Sequence, residues 1–181
     1  MMMQTERLLL RPFGQRDAGD VYELARDPLV GPAAGWQPHK SVEDSRQIIR
    51  NVLSAENTFA VVDKQSGRVI GSIGIRSANV GRPVPADQPE LGYWLAVPYW
   101  GRGLIPEAVK AILAYCFNTL HTSAVWCGYY EGNEQSKRVQ EKCGFEPSHA
   151  MEMDVPLLHT RRLCHFTRLT REQYKKSSVT D

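Results

Sequence analysis

The feature that most constrains this chain is a strand that passes through a glycine-bearing turn into a long helix. Residues 90–97 are predicted as the strand and residues 106–120 as the helix, whose apolar side chains recur at helical spacing. Gly101 and Gly103 in the turn let the backbone approach a ligand closely. The first N–H groups of a helix lack intrahelical partners and lie at the positive end of its dipole. The pattern fits a pyrophosphate site, although an ordinary tight turn uses the same glycines.

Strands and helices alternate along the rest of the chain. The other predicted strands are residues 5–12, 59–62, 69–75, 124–129, 150–155 and 163–169, with a hairpin turn at 64–67. Further helices are expected after the N-capping residues Asp17, Ser41 and Asn133, the first two with capping-box partners Asp20 and Asp44. Residues 27–40 and 77–89 are predicted as loops. This order predicts a mixed α/β fold in one domain spanning residues 1–181, with a polar, frayed tail from about 175.

Composition limits the classes of function. The chain has 181 residues, 42% apolar and 23% charged, and a net charge of +2. That charge is too small to indicate a nucleic-acid or membrane partner. No apolar run is long enough to span a bilayer, and the first residues do not resemble a signal peptide. The four cysteines are widely spaced and the histidines do not cluster, so we expect a cytoplasmic protein with reduced thiols and no metal site.

A second informative stretch covers residues 133–145, Asn-Glu-Gln-Ser-Lys-Arg-Val-Gln-Glu-Lys-Cys-Gly-Phe. Asn133 is a good helix N-cap, and Gly144 suits the position just after a helix. The spacing N-x-x-S-x-x-V-x-x-K-x-G-F resembles the second motif of the GNAT superfamily of N-acetyltransferases. The turn at 98–103 resembles the superfamily's acetyl-CoA motif, Gln/Arg-x-x-Gly-x-Gly/Ala, with Pro98 in place of Gln or Arg.

The resemblance covers roughly residues 5–170, and two segments narrow it. Residues 5–12, Thr-Glu-Arg-Leu-Leu-Leu-Arg-Pro, and residues 36–41 resemble the RimJ/RimL-like branch, the ribosomal-protein N-terminal acetyltransferases and their relatives. The resemblance implies the GNAT fold, a mostly antiparallel, splayed central sheet flanked by helices. It also implies direct acetyl transfer from acetyl-CoA to an amine, without an acyl-enzyme and without a metal.

The resemblance also implies where the cofactor lies, between the residue-90 strand and the next strand of the sheet. Main-chain groups of Leu95, Ala96 and Val97 would hold the pantetheine and polarise the thioester carbonyl, and Asn133 would bond the pantetheine arm. The turn residues from Gly101 to Pro106 would hold the pyrophosphate. The implied cofactor-binding residues are Leu95, Ala96, Val97, Gly101, Arg102, Gly103, Leu104, Ile105, Pro106 and Asn133.

Acyl transfer to an amine needs a route for the amine's proton and a donor for the leaving thiolate. Glu90, at the start of the central strand, is the first candidate base, and Glu152, Asp154 and water are its rivals. Many superfamily members use a tyrosine as the acid at a position that is Gln140 here, which cannot serve. Ser136, one helical turn from Asn133, is therefore the candidate acid, although a serine is also common in a first helical turn.

The remaining expectations concern the acceptor. Trp36 and His39 are candidates for the wall of its pocket, or belong to a plain surface loop. An acyl-cysteine route is disfavoured because no histidine is placed to activate Cys127 or Cys143. A protein or peptide α-amine is the expected acceptor, with a small amine such as a polyamine or an antibiotic as the alternative, and a non-catalytic acyl-CoA-binding module as a third reading. The sequence leaves a monomer and a homodimer open.

Overall fold

The alternating apolar residues form one eight-stranded sheet in the computed structural model, which describes residues 1–76 and 83–178. The strand order is β1-β2-β3-β4-β5-β6-β8-β7, and every neighbouring pair is antiparallel except β5 and β6. The strands are β1 Met3–Gln4, β2 Leu8–Arg11, β3 Thr58–Asp63, β4 Val69–Arg76, β5 Glu90–Leu95, β6 Ala124–Tyr130, β7 Glu146–Val155 and β8 Thr160–Thr170.

Helices cover both faces of this sheet. They are α1 Ala18–Ala25, α2 Gly31–Ala34, α3 Val42–Ile48, α4 Leu104–Asn118, α5 Glu134–Lys142 and α6 Arg171–Ser178. The larger core cluster packs α4 against the sheet through fully buried residues such as Ile112 and Leu113. A second cluster packs α1 and the first residue after α3 through Val21 and Ile49. The predicted mixed α/β fold with a mostly antiparallel sheet is confirmed.

The sheet opens between β5 and β6. These parallel strands pair only at Glu90 with Trp126 and at Leu91 with Cys127, and beyond that point they diverge. On its other edge β5 stays paired with β4 along its whole length. The divergence leaves a wedge-shaped gap in the middle of the molecule, on the side to which both strands point.

The helix termini correct several expectations. Asp17 does not cap α1 with its side chain, because its carboxylate accepts both guanidinium N–H groups of Arg11 and the N–H of Gly14. Asp20 is no capping-box partner, since it accepts from Arg68 and from the N–H of Val69. Ser41 and Asn133 cap their helices as predicted, accepting from Asp44 N–H and Ser136 N–H, but Asp44 is no capping-box partner, because its carboxylate accepts from Lys40 N–H instead of Ser41 N–H.

Elements at the edges also differ from the sequence-based prediction. The loop at 27–40 contains α2. Residues 175–178 of the tail that was expected to fray belong to α6, whose Tyr174 stacks on Phe117 at 4.7 Å, and residues 179–181 lie outside the described residues. After α3 the chain continues as a π-helix over Ile49–Leu53, in which Val52 is 59% exposed. Residues 77–82 of the predicted 77–89 connection lie outside the described residues. Within the described chain, no helix is long and apolar enough to cross a membrane.

Candidate active site

The gap between β5 and β6 opens into a cleft with a volume of about 1450 Å³. Small-molecule pockets commonly measure about 300–1,000 Å³, so this cleft has room for more than one compact ligand. Its walls come from the loop around α2, the π-helical turn, β4, β5, the turn before α4, the end of β6 and the first turns of α5.

The turn before α4 forms one end of this cleft. Gly101 and Gly103 both have φ of +73°, a left-handed conformation that side-chain-bearing residues rarely adopt. A Cβ atom at Gly101 would meet no protein atom within 4 Å, and at Gly103 only Arg7 Nη2 at 3.7 Å. The first intrahelical bond is donated by Glu107 N–H to Gly103 O, and Pro106 lies in the first turn as predicted.

This turn fits an anionic group. Among residues 1–76 and 83–178, no protein acceptor satisfies the N–H groups of Leu104 and Ile105, which precede that first bond. The cationic residues Arg138 and Lys142 line the cleft on the facing helix α5. Unsatisfied N–H groups, a helix N-terminus and nearby positive charge together suit a pyrophosphate.

A set of polar contacts holds the turn in place from the N-terminal segment. Arg7 donates from its Nε to Glu107 at 2.7 Å and from its Nη1 to Arg102 O at 2.9 Å. Glu107 also accepts from the Arg7 N–H and from the Thr5 hydroxyl. Burial raises the pKa of Glu107, but these hydrogen bonds outweigh it, so that pKa lies below its ordinary value. An ionised Glu107 therefore ties the first turn of α4 to the start of the chain.

Most of the predicted cofactor-binding residues line the cleft, and three do not. Ala96 is fully buried and its N–H donates to Ile70 O at 3.0 Å, so that group is not available to a thioester carbonyl. Val97 lies beyond the cleft lining, and the Arg102 guanidinium rests over the Tyr99 ring. The predicted residues in the lining are Leu95, Gly101, Gly103, Leu104, Ile105, Pro106 and Asn133.

Asn133 already holds two parts of the protein together. Its Oδ1 caps α5, and its Nδ2 donates to Ala33 O at 3.2 Å, joining α5 to α2. The predicted contact with the pantetheine arm stays a prediction, and it would use the remaining amide N–H.

Glu90 lies in the wall of the cleft where β5 and β6 separate. Its carboxylate is 6% exposed, and its Oε2 lies 3.6 Å from Arg76 Nη1, itself a lining residue. The rival carboxylates are elsewhere: Glu152 and Asp154 are exposed on β7, outside the lining, and Asp154 pairs with Arg161. Of the three carboxylates weighed from the sequence, only Glu90 faces the cleft.

Ser136 also lines the cleft, and its surroundings hold a residue that sequence reasoning missed. Its Oγ lies 2.9 Å from the hydroxyl of Tyr93 on β5 and 3.2 Å from Gln140 Nε2. Burial raises the pKa of Tyr93 well above its ordinary value, so the phenol stays protonated. No local motif distinguishes Tyr93, because its partner is 43 residues away in sequence.

The cysteines are unsuited to act as nucleophiles. All four are free and buried. Burial raises the pKa of Cys143 to about 11 and that of Cys127 still further, so both remain thiols. Cys127 lines the cleft, but a protonated thiol there favours direct transfer over an acyl-cysteine.

The two aromatic candidates for the acceptor wall have different positions. Trp36 lines the cleft and packs edge-on against Trp94, with ring centroids 5.8 Å apart. His39 lies outside the lining, 7% exposed, with its Nδ1 2.8 Å from Ser45 Oγ. Burial lowers the pKa of His39, which is typical of a neutral histidine inside the protein.

Comparison with known proteins identifies the family. The acetyltransferase (GNAT) domain matches residues 7–146, well over half of the chain. The chain belongs to the GNAT family. An N-acetyltransferase of Bacillus licheniformis, named as the uncharacterized protein p20, is 28% identical over 149 residues, covering 80% of this chain and 82% of its own. This GNAT chain is accordingly an N-acetyltransferase, and acetyl-CoA is the family's acetyl donor.

Solved structures agree on the fold. A GNAT-family acetyltransferase from Bacillus anthracis superposes with a TM-score of 0.78 at 22% identity, over 95% of this chain and 99% of that one. The ribosomal-protein-S5-alanine acetyltransferase from Vibrio fischeri superposes with a TM-score of 0.73 at 19% identity, over 95% and 97% of the two chains. The splayed sheet and the cleft are therefore features of the GNAT fold of this enzyme.

Proposed function

We propose that this N-acetyltransferase moves the acetyl group of acetyl-CoA directly to the α-amine of a peptide or protein, as a RimJ/RimL-like enzyme. The observation that carries the proposal is one cleft that contains the anion-binding turn, the buried carboxylate of Glu90 and the hydroxyl of Ser136. Glu90 and Ser136 enter it from β5 and α5, on the two sides of the gap in the sheet.

In this proposal the cofactor lies along the gap. Gly101, Gly103 and the N–H groups of Leu104 and Ile105 hold the pyrophosphate, and the thioester lies between the diverging strands. Arg138 and Lys142 on α5 balance the remaining phosphate charge. With the N–H of Ala96 taken by Ile70, polarisation of the thioester carbonyl falls to the main chain at Leu95, which lines the cleft.

The chemistry has three proton transfers. Glu90 takes a proton from the acceptor ammonium, directly or through water, and leaves the neutral amine to attack the thioester carbon. The carbon–sulfur bond breaks as the new carbon–nitrogen bond forms, the sulfur leaves as a thiolate, and the nitrogen loses its second proton to water to give the amide. Ser136 gives its hydroxyl proton to the sulfur and is reprotonated from water, so one proton is released overall. Both residues line the cleft in which the thioester would lie.

Three observations favour an α-amine. The pKa of a chain terminus is about 8, against about 10.4 for a lysine amine, so far more of the α-amine is neutral near pH 7. The cleft lining includes two exposed apolar side chains, Leu29 and Val52, each 59% exposed, which suit the side chain of a first residue. The Vibrio fischeri protein of the same fold is named for acetylating a ribosomal protein.

The test is a competition between acceptors. A pool of peptides with each amino acid in turn at the first position, and with all lysine side chains blocked, is mixed with N-terminally blocked peptides that keep one free lysine. Mass spectrometry locates the acetyl group, and release of free coenzyme A gives the rate. We expect the first-residue peptide pool to be acetylated ahead of the lysine peptides.

Polyamines and aminoglycosides assayed in parallel are the counter-test. Preference for the lysine peptides, or turnover on small amines alone, would contradict an α-amine acceptor and assign the enzyme to small-molecule acetylation. Acetyl-CoA binding without turnover on any amine would contradict the catalytic roles given to the cleft residues.

A further inference from the structure

Gln140 is a buried polar residue whose side-chain amide makes three hydrogen bonds beside Ser136. It lies on α5 at 1% exposure, one helical turn after Ser136. Its Nε2 donates to Gly128 O and to Ser136 Oγ, both at 3.2 Å. Its Oε1 accepts from Thr167 Oγ1 at 2.7 Å. Both amide N–H groups are thus in use, and the carboxamide is held at three points.

The orientation of this amide follows from Gly128. A main-chain carbonyl can only accept, so the nitrogen of Gln140 must face Gly128 O. The opposite orientation would place two acceptors against each other inside the protein, which is costly. The second N–H of Gln140 then points at Ser136 Oγ, and Ser136 accepts this bond.

Tyr93 can supply a second donor to the same oxygen. Its hydroxyl lies 2.9 Å from Ser136 Oγ and 3.2 Å from Ser136 O, the latter a pure acceptor. The Tyr93 proton points either at Ser136 O, with Ser136 Oγ then donating to the phenol, or at Ser136 Oγ. A serine hydroxyl can accept two hydrogen bonds and donate one. In the second arrangement Gln140 and Tyr93 both donate into Oγ, and the Ser136 proton is left to point into the cleft.

We propose that Gln140 and Tyr93 are positioning residues that make Ser136 a proton donor to the leaving sulfur. This inference rests on the proposed role of Ser136 as the acid. As the Ser136 O–H bond breaks and the S–H bond forms, the Tyr93 proton moves to Ser136 Oγ. The Tyr93 phenolate regains a proton from water as products leave, which balances the second proton that the acceptor nitrogen loses to water as the amide forms. A serine alkoxide never has to persist, because its replacement proton is already in place.

The experiment measures kcat with the first-residue peptide pool, and acetyl-CoA affinity by calorimetry, in single and double variants. Ser136→Ala is expected to lower kcat about 10²-fold, the usual effect of losing a general acid. Gln140→Met and Tyr93→Phe are each expected to lower it about tenfold, with acetyl-CoA affinity within twofold of the wild type. Adding either change to Ser136→Ala should lower kcat no further, since both act through the Ser136 hydroxyl.

Controls separate this role from packing. Thr122→Val removes another buried hydroxyl, which donates to Ala124 O, and should leave kcat unchanged. Tyr93→Phe keeps the ring and remains informative if Gln140→Met fails to fold. Full kcat in Tyr93→Phe and Gln140→Met, or effects that multiply with Ser136→Ala, would overturn the inference while leaving Ser136 as the acid. A Ser136→Ala enzyme with wild-type kcat would instead remove the proposed acid itself, and the inference with it.

Discussion

At the scale of single residues, position distinguishes Glu90 from Glu152 and Asp154, the other carboxylates considered for proton transfer. It is the first residue of β5, where the register with β6 is about to end, so its side chain lies at the narrow end of the gap. Burial normally disfavours a charged carboxylate, but Arg76 at 3.6 Å compensates part of that cost. A carboxylate in this position can receive a proton without being surrounded by bulk water.

Replacing Glu90 with Gln should therefore slow the enzyme most where the acceptor is protonated. We expect kcat at neutral pH to fall about 10²-fold, the usual contribution of a general base. The deficit should shrink as the pH rises past about 8, because an α-amine then loses its proton without help. Steady-state rates from pH 6 to pH 9, with acetyl-CoA affinity as a check on folding, measure this.

The exposed carboxylates on β7 provide the matched comparison. Glu152→Gln and Asp154→Asn should both keep the wild-type rate and pH profile, since neither side chain lines the cleft. If the Glu90→Gln enzyme were indistinguishable from the wild type across this pH range, solvent water and not Glu90 would be the group that accepts the amine's proton.

At the scale of elements, the turn between β5 and α4 combines backbone conformation with external support. Two left-handed glycines shape it, and the Arg7–Glu107 pair anchors it to the N-terminal segment 100 residues away. Trp100, just before Gly101, is also held in place, since its Nε1 donates to the carbonyl of Leu95 at the end of β5 at 2.7 Å. The N–H groups of the first helical turn are thus held in position before a ligand arrives.

Gly103→Val tests this element. A β-branched side chain is strained at φ of +73°, and its Cβ would occupy space beside Arg7 next to the helix N-terminus. We expect acetyl-CoA affinity measured by calorimetry to fall tenfold or more, on the order of 1.4 kcal/mol or above. Gly67→Val is the control, because Gly67 has φ of +71° in the β3–β4 turn and lies outside the cleft. Equal loss of affinity in both variants would argue against a phosphate site at Gly103.

Elements that follow from residues close together in sequence could be predicted, and elements without such a local signal could not. The β3–β4 hairpin and α4 follow from local periodicity, and Asn133 and Gly144 from capping preferences, so they were predictable. The π-helical turn at Ile49–Leu53 was not, because one extra residue per turn leaves no local signature. The capping role given to Asp17 was wrong because the Arg11 guanidinium and the Gly14 N–H, six and three residues earlier, already use its carboxylate.

The candidate site shows the same division. The glycine turn and Glu90 carry signals within a few residues of sequence. The contact of Tyr93 with Ser136 exists only because α5 packs beside the diverging end of β5, and no spacing rule connects the two. Gln140 could be excluded as an acid from its side chain alone, whereas its orienting role needs the positions of Gly128 and Thr167.

At the scale of the whole molecule, two partly or fully buried carboxylates connect segments that the sheet alone does not hold. Glu107 joins α4 to the N-terminal segment, and Asp17 joins β2 to the turn before α1 through Arg11 and Gly14. Burial by itself raises the pKa of Asp17, and the hydrogen bonds from Arg11 and Gly14 outweigh it, so that pKa lies below the ordinary 3.8. The pKa of Glu107 likewise lies below its ordinary 4.5.

Acid should therefore weaken the fold through these two groups. A carboxyl whose pKa is lower in the folded state stabilises that state above its unfolded pKa, and the stabilisation is lost as the pH falls through the folded pKa. We expect Asp17→Asn to lower the free energy of unfolding by about 2 kcal/mol at pH 7, and the gap to the wild type to narrow as the pH falls below about 3.9, the ordinary pKa of an unfolded Asp, towards the lower pKa of folded Asp17. Urea unfolding followed by circular dichroism at each pH measures both.

Glu43→Gln, which breaks an exposed pair with Arg46, should cost less than about 0.5 kcal/mol at every pH. A gap between wild type and Asp17→Asn that stays constant down to pH 3 would mean that Asp17 acts through packing, because only an ionised carboxylate loses its contribution on protonation.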